Sequence, residues 1–275
     1  MAIVTISPQM GSGGPEIGMA LAQRLGYRYV DQELIADAVR RYGLTEEKAS
    51  HLDESKPTLF ERFDVETRHY ITVLQTTLLE FAEQDSCVLM GRGGQWLLRG
   101  IPQVLRLRVI APFDVRVRNW IKRTTEVAGE TPNQRAAVEF VRRDDSERAG
   151  RMRYLYEVDL DDPSLYDVVV NTEKLRHEAV VEMVERAVRR PEMATTEEGR
   201  RALGSRVLVS RVQVALATNP ETRRYRITVE ARDGVVVLEG TAALDRAVEV
   251  ARTVPGVRDV RTQQVDIPPI PPFVA

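Results

Sequence analysis

Short, densely apolar runs alternate along the first two thirds of the chain with segments whose apolar positions recur every three to four residues. Ala2–Ser7 reads as a buried strand, Gly11–Gly14 as a loop, and Glu16–Leu25 as an amphipathic helix ended by Gly26. Tyr27–Val30 is briefly extended, and a helix is expected over about Gln32–Tyr42. Pro57 opens a long helical stretch to about Gln84, with Leu59, Phe63, Tyr70, Leu74, Leu78 and Phe81 on one side. Cys87–Met90 and Val104–Ile110 read as further strands, followed by helices at roughly 113–127 and 132–156. Tyr166–Asn171 is a last strand, and 174–190 closes the unit as a helix. Strands separated by helices of this length predict a doubly wound α/β domain over residues 1–190, with a parallel sheet covered on both faces.

The pattern then changes. Residues 191–204 (PEMATTEEGRRALG) show no apolar periodicity and read as a linker. Val207–Leu216 is helical, Tyr225–Glu230 and Val235–Glu239 are strands, and the Asp233-Gly234 between them signals a hairpin. Ala243–Val254 is a helix and Val257–Ile267 a final strand. This αββαβ unit, residues 205–268, is expected to be a second, small α+β domain, and the proline-rich tail 269–275 to be extended.

Composition narrows the function. Of 275 residues, 43% are hydrophobic and 29% charged, which excludes wholesale disorder. A single cysteine, Cys87, excludes an intramolecular disulfide and a Cys-rich metal cage. No apolar run reaches the roughly 18 residues of a membrane span. MAIVTIS lacks a basic n-region and a cleavage site, so a cytoplasmic location is expected. The net charge of −2 conceals a segregation: residues 92–153 carry 14 Arg/Lys against 7 Asp/Glu, while the remainder is net −9. With only four lysines, 35 of the 39 basic residues are arginine. A local basic segment in an acidic chain points to a bound anion rather than to a nucleic-acid-coating surface, and a solvated arginine face accounts for the same charges.

The most informative segment is strand, then Gly11-Ser12-Gly13-Gly14, then helix. Glycines there let backbone N–H groups converge on an anion, and the helix N-terminus adds its dipole. The common phosphate loop G-x-x-x-x-G-K-[ST] is not matched. Gly14 stands where the lysine would be and Pro15 where the magnesium-binding hydroxyl would be. Efficient transfer of a phosphoryl group then needs charge from elsewhere, and Arg142, Arg143, Arg148 and Arg151 form an arginine cluster within the basic segment. Interleaved with Asp144, Asp145 and Glu147, that cluster also reads as a salt-bridged helix face. His51, His69 and His177 have no metal-ligand spacing, and no metal site is expected. Trp96, Trp120 and Cys87 read as packing residues, and Asp161-Asp162 before Pro163 as the start of a turn.

Over about residues 1–190 the chain resembles the cytidylate-kinase-like family, relatives of the nucleoside monophosphate kinases. The likeness is carried by ISPQMGSGGPEIGMALAQRLGYRYVDQELI, CVLMGRGG, VIAPFDVRVRNWI, the D-x-x-R of Asp145–Arg148, and DPSLYDVVVNT. It implies a P-loop kinase fold, ATP with Mg2+ as donor, and a nucleoside monophosphate, CMP or dCMP, as acceptor. On that likeness Gly11, Ser12, Gly13 and Gly14 cradle the donor phosphates, and Asp31 begins the acceptor region. Arg92 grips the acceptor phosphate, and Arg148 and Arg151, with Arg142 and Arg143, belong to a lid over the transferring group. Where the family reads S-R-x-x-G-S-G-G-R-E-I, this chain has Pro8 and Pro15 in place of the arginines. Pro15 suits a first helical turn, but the lost charges leave open a second reading, a nucleotide-binding sensor that governs the contacts of the small domain. That domain, over about 204–267, resembles a BON domain through ARDGVVVLEGTAA and ARTVPGVRDVRTQQVDI. The likeness implies ligand, membrane-surface or protein contacts, with Gly234, Gly240 and Gly256 in structural roles.

Overall fold

The computed structural model describes residues 2–31 and 65–264. The helix expected over Gln32–Tyr42, the opening of the 57–84 helix, His51, and the chain beyond Gln264 lie outside the described residues.

Five strands form one parallel sheet: β1 (Ile3–Pro8), β2 (Arg28–Val30), β3 (Cys87–Met90), β4 (Val104–Ile110) and β5 (Val168–Asn171), in the order β2-β3-β1-β4-β5. β1 is buried along its whole length, pairing Ile3 with both Cys87 and Val104. This central position is why IVTI carries no polar alternation: both faces are covered. On one face, α1 (Gly14–Leu25) and α6 (His177–Val188) bring Ile17, Leu21, Val180 and Val184 against Val4, Ile6 and Leu107. On the other, α2 (Val65–Glu83) packs Val73 and Leu78 against Ile3 and Leu89. The short α3 (Gly94–Leu97) follows β3, and α4 (Phe113–Ala128) and α5 (Gln134–Tyr156) follow β4. α4 and α5 meet through a small cluster around Val117, Ala137 and Val141. The architecture is a doubly wound α/β sheet, and the glycine loop and Arg92 lie in the loops at the C-terminal ends of β1 and β3.

A second sheet has the order β6-β7-β8: β6 (Ile227–Arg232), β7 (Val235–Gly240) antiparallel to it, and β8 (Asp259–Gln264) parallel to β7. The hairpin turns on Asp233 and Gly234, at φ 50° and 83°, the left-handed pair that a two-residue connection requires. α8 (Leu244–Arg252) covers one face.

The stretch 191–204 departs from its reading as a linker. It holds a 3-10 turn (Pro191–Met193) and the first two turns of α7 (Glu197–Thr218), which starts ten residues before the expected Val207. Thr196 caps it, accepting from the Gly199 N–H at 3.1 Å, and Glu197 and Glu198 favour its dipole. Gly199 permits close approach, since a Cβ there would lie 2.1 Å from Gln103 Oε1. α7 runs antiparallel along α2: Arg211 pairs with Glu80 and Glu83 at 2.8 and 3.0 Å, and Thr218 meets His69 at 3.0 Å. Leu203, Val207 and Val214 join the core of the large sheet, whereas Leu208, Val212 and Leu216 join that of the small one. Among the described residues no helix is long and apolar enough to cross a membrane.

Candidate functional site

The glycine loop leaves β1 at Pro8 and enters α1 at Gly14. Gly11 and Gly13 take φ of 77° and 82°, and a Cβ on Gly11 would lie 2.3 Å from the Arg116 carbonyl oxygen. The loop's carbonyl groups are tied outward. Asn119 Nδ2 donates to Gly11 O at 2.9 Å, Thr172 Oγ1 to Ser12 O at 2.8 Å, and Ser12 Oγ to Gln9 O at 2.7 Å. The first N–H groups of α1 have no acceptor within the helix, so the loop presents donors to an anion. Gly13 and His177 are in contact range, since a Cβ on Gly13 would sit 2.1 Å from the ring Nε2. A cavity of about 980 Å³ opens on this side, lined by Gly11, Gly13, Asn119, Lys122, Thr172 and Arg176 among others.

Pro8 and Gly14 are coupled. A Cβ on Gly14 would lie 2.3 Å from Pro8 Cβ, so with any residue other than glycine at position 8 the place of the usual lysine cannot carry a side chain without rearrangement.

A second cavity, of about 440 Å³, lies across Pro8, Pro15 and Arg148 from the first and is lined by Asp31, Gln75, Arg92, Arg143 and Arg151 among others. Arg92 sits between Gly91 and Gly93 in a run of three left-handed residues, with φ of 68°, 58° and 76°. For arginine this conformation is strained, by about 1–2 kcal/mol. The Tyr156 ring closes on Gly93, where a Cβ would lie 2.9 Å from Cε2, and Gln75 Nε2 donates to the Tyr156 hydroxyl at 3.1 Å. Burial pushes the Arg92 pKa down to about 9, and Arg151 and Arg148 push the same way. Five arginines (Arg92, Arg123, Arg143, Arg148 and Arg151) against three carboxylates (Asp31, Asp144 and Glu147) line this partly desolvated cavity, an excess of positive charge that suits an anion. Tyr29, on the wall, is pushed up to about 12 by burial, then by Asp31 and Glu16.

α5 supplies the rest. Arg148 pairs with Asp144 at 2.8 Å, donates from Nη1 to Pro8 O at 3.3 Å, and lines both cavities. Arg143 and Arg151 line the smaller one. Arg142 is not brought there: its guanidinium lies over the Phe113 ring, 5.3 Å from the centroid. Asp145, three residues before Arg148, turns the other way and is held by both Nη atoms of Arg116 at 2.9 and 2.8 Å. Arg116, Asn119, Arg123 and Thr172 also border the site and carry no motif of their own in the sequence. Their shared signal is position, just after β4 and β5 at the edge of the sheet where the glycine loop opens.

Cys87 is buried in β3, with its thiol pushed up to about 12 by burial, as suits a core residue. Trp96 and Trp120 pack against Tyr156 and Phe140 at 5.9 and 4.8 Å between centroids, and Asp162 caps the turn at Pro163. Among the described residues no group of three or more His, Cys, Asp or Glu could hold a metal ion. Pro15 has no hydroxyl to offer magnesium, and Ser12 is fully buried with its hydroxyl turned to Gln9 O. The glycine loop itself therefore offers no side-chain ligand to a magnesium ion.

Residues 3–174 match the sequence model of the cytidylate kinase-like family, and residues 206–269 that of the BON domain. The cytidylate kinase of Methanocaldococcus jannaschii is 28% identical over 189 residues, covering 68% of this chain and 97% of that protein. That of Sulfolobus acidocaldarius is 26% identical over 182 residues, covering 66% and 91%. A crystal structure of an uncharacterized protein from Eubacterium ventriosum shares the fold, with a TM-score of 0.53 at 17% identity over 68% of this chain and 97% of that one. The family match takes in well over half of the sequence and every site element from the glycine loop to Thr172, so this chain belongs to the cytidylate kinase-like family and carries a BON domain behind its kinase-like fold.

Proposed function

We propose that this chain transfers the terminal phosphoryl group of ATP to a nucleoside monophosphate, CMP or dCMP. The observation that carries the reading is Arg148, which lies at the boundary of two cavities, one floored by the glycine loop and the other lined by Arg92, Arg143 and Arg151. The donor phosphates rest on the N–H groups of Gly11–Gly14, and the acceptor phosphate on Arg92. Magnesium enters as part of the donor substrate, and no step is assigned to it. An acceptor phosphate oxygen attacks the γ-phosphorus, the bond to the β–γ bridging oxygen breaks, and ADP departs with that electron pair. A phosphate monoester is largely dianionic at pH 7, so the nucleophile needs no protein base. The protein's work is alignment and charge: Arg148 and Arg151 stand against the oxygens on which negative charge accumulates. The M. jannaschii and S. acidocaldarius relatives are named cytidylate kinases, which supports the acceptor choice.

A coupled assay with ATP and each of CMP, dCMP, UMP, AMP and GMP tests this. Turnover is expected with the cytidine nucleotides. Turnover no greater than that of a folded Gly13→Asp/Arg148→Ala double variant with all five overturns the reading.

A second reading, nucleotide sensing without turnover, is favoured by α2 and α7. Tyr70, Ile71, Leu74 and Gln75 of α2 line the smaller cavity, while its opposite side meets α7, whose other face belongs to the BON-domain core. Calorimetry showing tight nucleotide binding with no turnover supports it; no binding at millimolar nucleotide removes both readings.

A further inference from the structure

Arg116 makes contacts that neither the glycine loop nor α5 makes for itself. Its side chain is 6% exposed, and the guanidinium donates to three segments. These are Ala111 O after β4 at 3.2 Å, Met10 O in the loop at 3.5 Å, and the Asp145 carboxylate on α5 at 2.9 and 2.8 Å. Its backbone touches the loop as well, through the close approach of its carbonyl to Gly11. Asp145 and Arg148 are three residues apart on one helix, and Arg148 returns to the loop at Pro8 O. Loop, α4 and α5 are thereby closed into a ring: Met10 and Gly11 to Arg116, to Asp145, to Arg148, to Pro8.

We propose that Arg116 is a positioning residue which, through Asp145, sets the place of Arg148 against the donor phosphates; the inference rests on the phosphoryl-transfer reading. The loop has Pro8, Gly14 and Pro15 where cations would stand, and among the cations that line its cavity Arg148 of α5 is the one bonded to the loop, at Pro8 O. Apolar packing between α4 and α5 has Val117, Ala137 and Val141 at its centre, Phe113, Ile121 and Val138 around them, and Trp120 stacked on Phe140. Such packing is non-directional and specifies the sliding and rotation of α5 less sharply than paired hydrogen bonds do. A two-pronged arginine–carboxylate grip fixes both. A buried ion pair is weak evidence for stability, because apolar residues of similar volume often hold a fold as well or better. Orientation is the property such a replacement would lose.

That contrast gives the test. Full-length Arg116→Met/Asp145→Leu is expected to unfold within a few degrees of the wild type. Its kcat with ATP and CMP should drop roughly 100-fold, the scale of a 1 Å misplacement, with KM values little changed. Arg116→Lys keeps the charge but not the fork and is expected to lose kcat in the same direction, less severely, so the test stands even if the double variant fails to fold. A folded double variant or Arg116→Lys with wild-type kcat overturns the inference, as does a kcat loss no larger than the fraction unfolded. If the wild type itself has no turnover, the function reading fails, and hydrogen exchange decides the positioning role. ATP should protect the amides of 142–151 in the wild type and not in the variants; equal protection overturns it.

Discussion

Arg148 Nη1 donates to the carbonyl oxygen of Pro8 at 3.3 Å, bringing to the glycine loop a cation that the loop's own sequence lacks. The same side chain pairs with Asp144 and lies on the boundary of the two cavities. A P-loop with lysine carries its charge on the loop and is complete when the loop folds. Here a guanidinium from a helix about 140 residues further along the chain reaches the loop, beside Lys122, Arg123 and Arg176 on the wall of the same cavity.

Arg148→Ala should therefore lower kcat far more than it raises KM for either nucleotide. An arginine that stabilises the transferring phosphoryl contributes about 10³-fold or more. Arg148→Lys recovers only part of this, because one ammonium cannot hold Asp144 and Pro8 O together while facing a phosphate. Steady-state kinetics check it, and a kcat for Arg148→Ala within tenfold of wild type contradicts the placement.

The pairing of Pro8 with Gly14 predicts a non-additive effect. Gly14→Ala brings a Cβ to within 2.3 Å of Pro8 Cβ and should cost about 1–3 kcal/mol in overpacking. Adding Pro8→Gly removes the clashing atom, so the double variant should be more stable than the sum of the single changes. The same geometry predicts that Gly14→Lys alone gains no activity, whereas Pro8→Gly/Gly14→Lys can seat the ammonium. Urea midpoints of the four-member cycle decide; simple additivity would mean that the loop relaxes around the clash.

The legible parts of this protein were those in which local pattern and tertiary role agree. IVTIS, CVLM and VLRLRV read as strands because a parallel sheet covered on both faces selects continuous apolar runs. Asp233-Gly234 read as a hairpin because that turn needs two left-handed residues. α7 reads shorter in the sequence than it is, for the opposite reason. Its apolar positions divide into two stripes, Leu203/Val207/Val214 and Leu208/Val212/Leu216, facing different cores, and the divided pattern loses its single face. Thr196, Glu197 and Glu198 had marked the true start. In the site, the D-x-x-R spacing pointed to Arg148 but not to the partner of Asp145, which is 29 residues away on another helix. Arg142 and Arg143 look alike in sequence, yet one residue of helix turns the side chain by about 100°. That rotation puts one over Phe113 and the other on the cavity.

Arg92 should separate the two nucleotides. Arg92→Met removes a charge-assisted grip worth roughly 1.5–3 kcal/mol, and KM for CMP should rise about 10- to 100-fold. KM for ATP should change little, because Arg92 lines the smaller cavity and not the one at the glycine loop. Equal increases for both nucleotides would show that Arg92 supports the fold of the site instead of binding the acceptor.

α7 predicts where the kinase-like part can be cut. A fragment ending at residue 190 or 196 loses Leu203, Val207 and Val214 from the core around Val73 and Leu78, together with the Arg206 donation to Leu97 O and Arg99 O at 2.7 and 2.8 Å. Three buried aliphatic side chains at about 1.5–3 kcal/mol each rival the whole stability of a domain. Such fragments should be insoluble or unfold well below the full chain, and a fragment ending at residue 218 should be the more stable. A 1–190 fragment with the full chain's thermal midpoint would refute a structural role for α7 in the large core.

Alkaline pH should destabilise the fold in a way that the single cysteine reports. Burial pushes the Cys87 thiol up to about 12, with Asp85 adding to the rise. An unfolded thiol loses its proton near pH 8.5. Between those values the folded state keeps a proton that the unfolded state has released, so stability falls as pH rises, by up to about 1.4 kcal/mol per pH unit. Tyr29, Tyr70 and Tyr156, each pushed up to about 12 by burial, act in the same direction from pH 10 upward. Arg92, pushed down to about 9, acts in the opposite direction. Comparing the wild type with Cys87→Ala isolates the thiol: the variant is less stable at pH 8 because it leaves a small void, yet its urea midpoint should fall less between pH 8.5 and 10. In the wild type, a thiol reagent at pH 8 should label Cys87 only at the rate of unfolding. Parallel pH profiles, or labelling of the native protein within minutes, would show that water reaches the β3 side of the sheet.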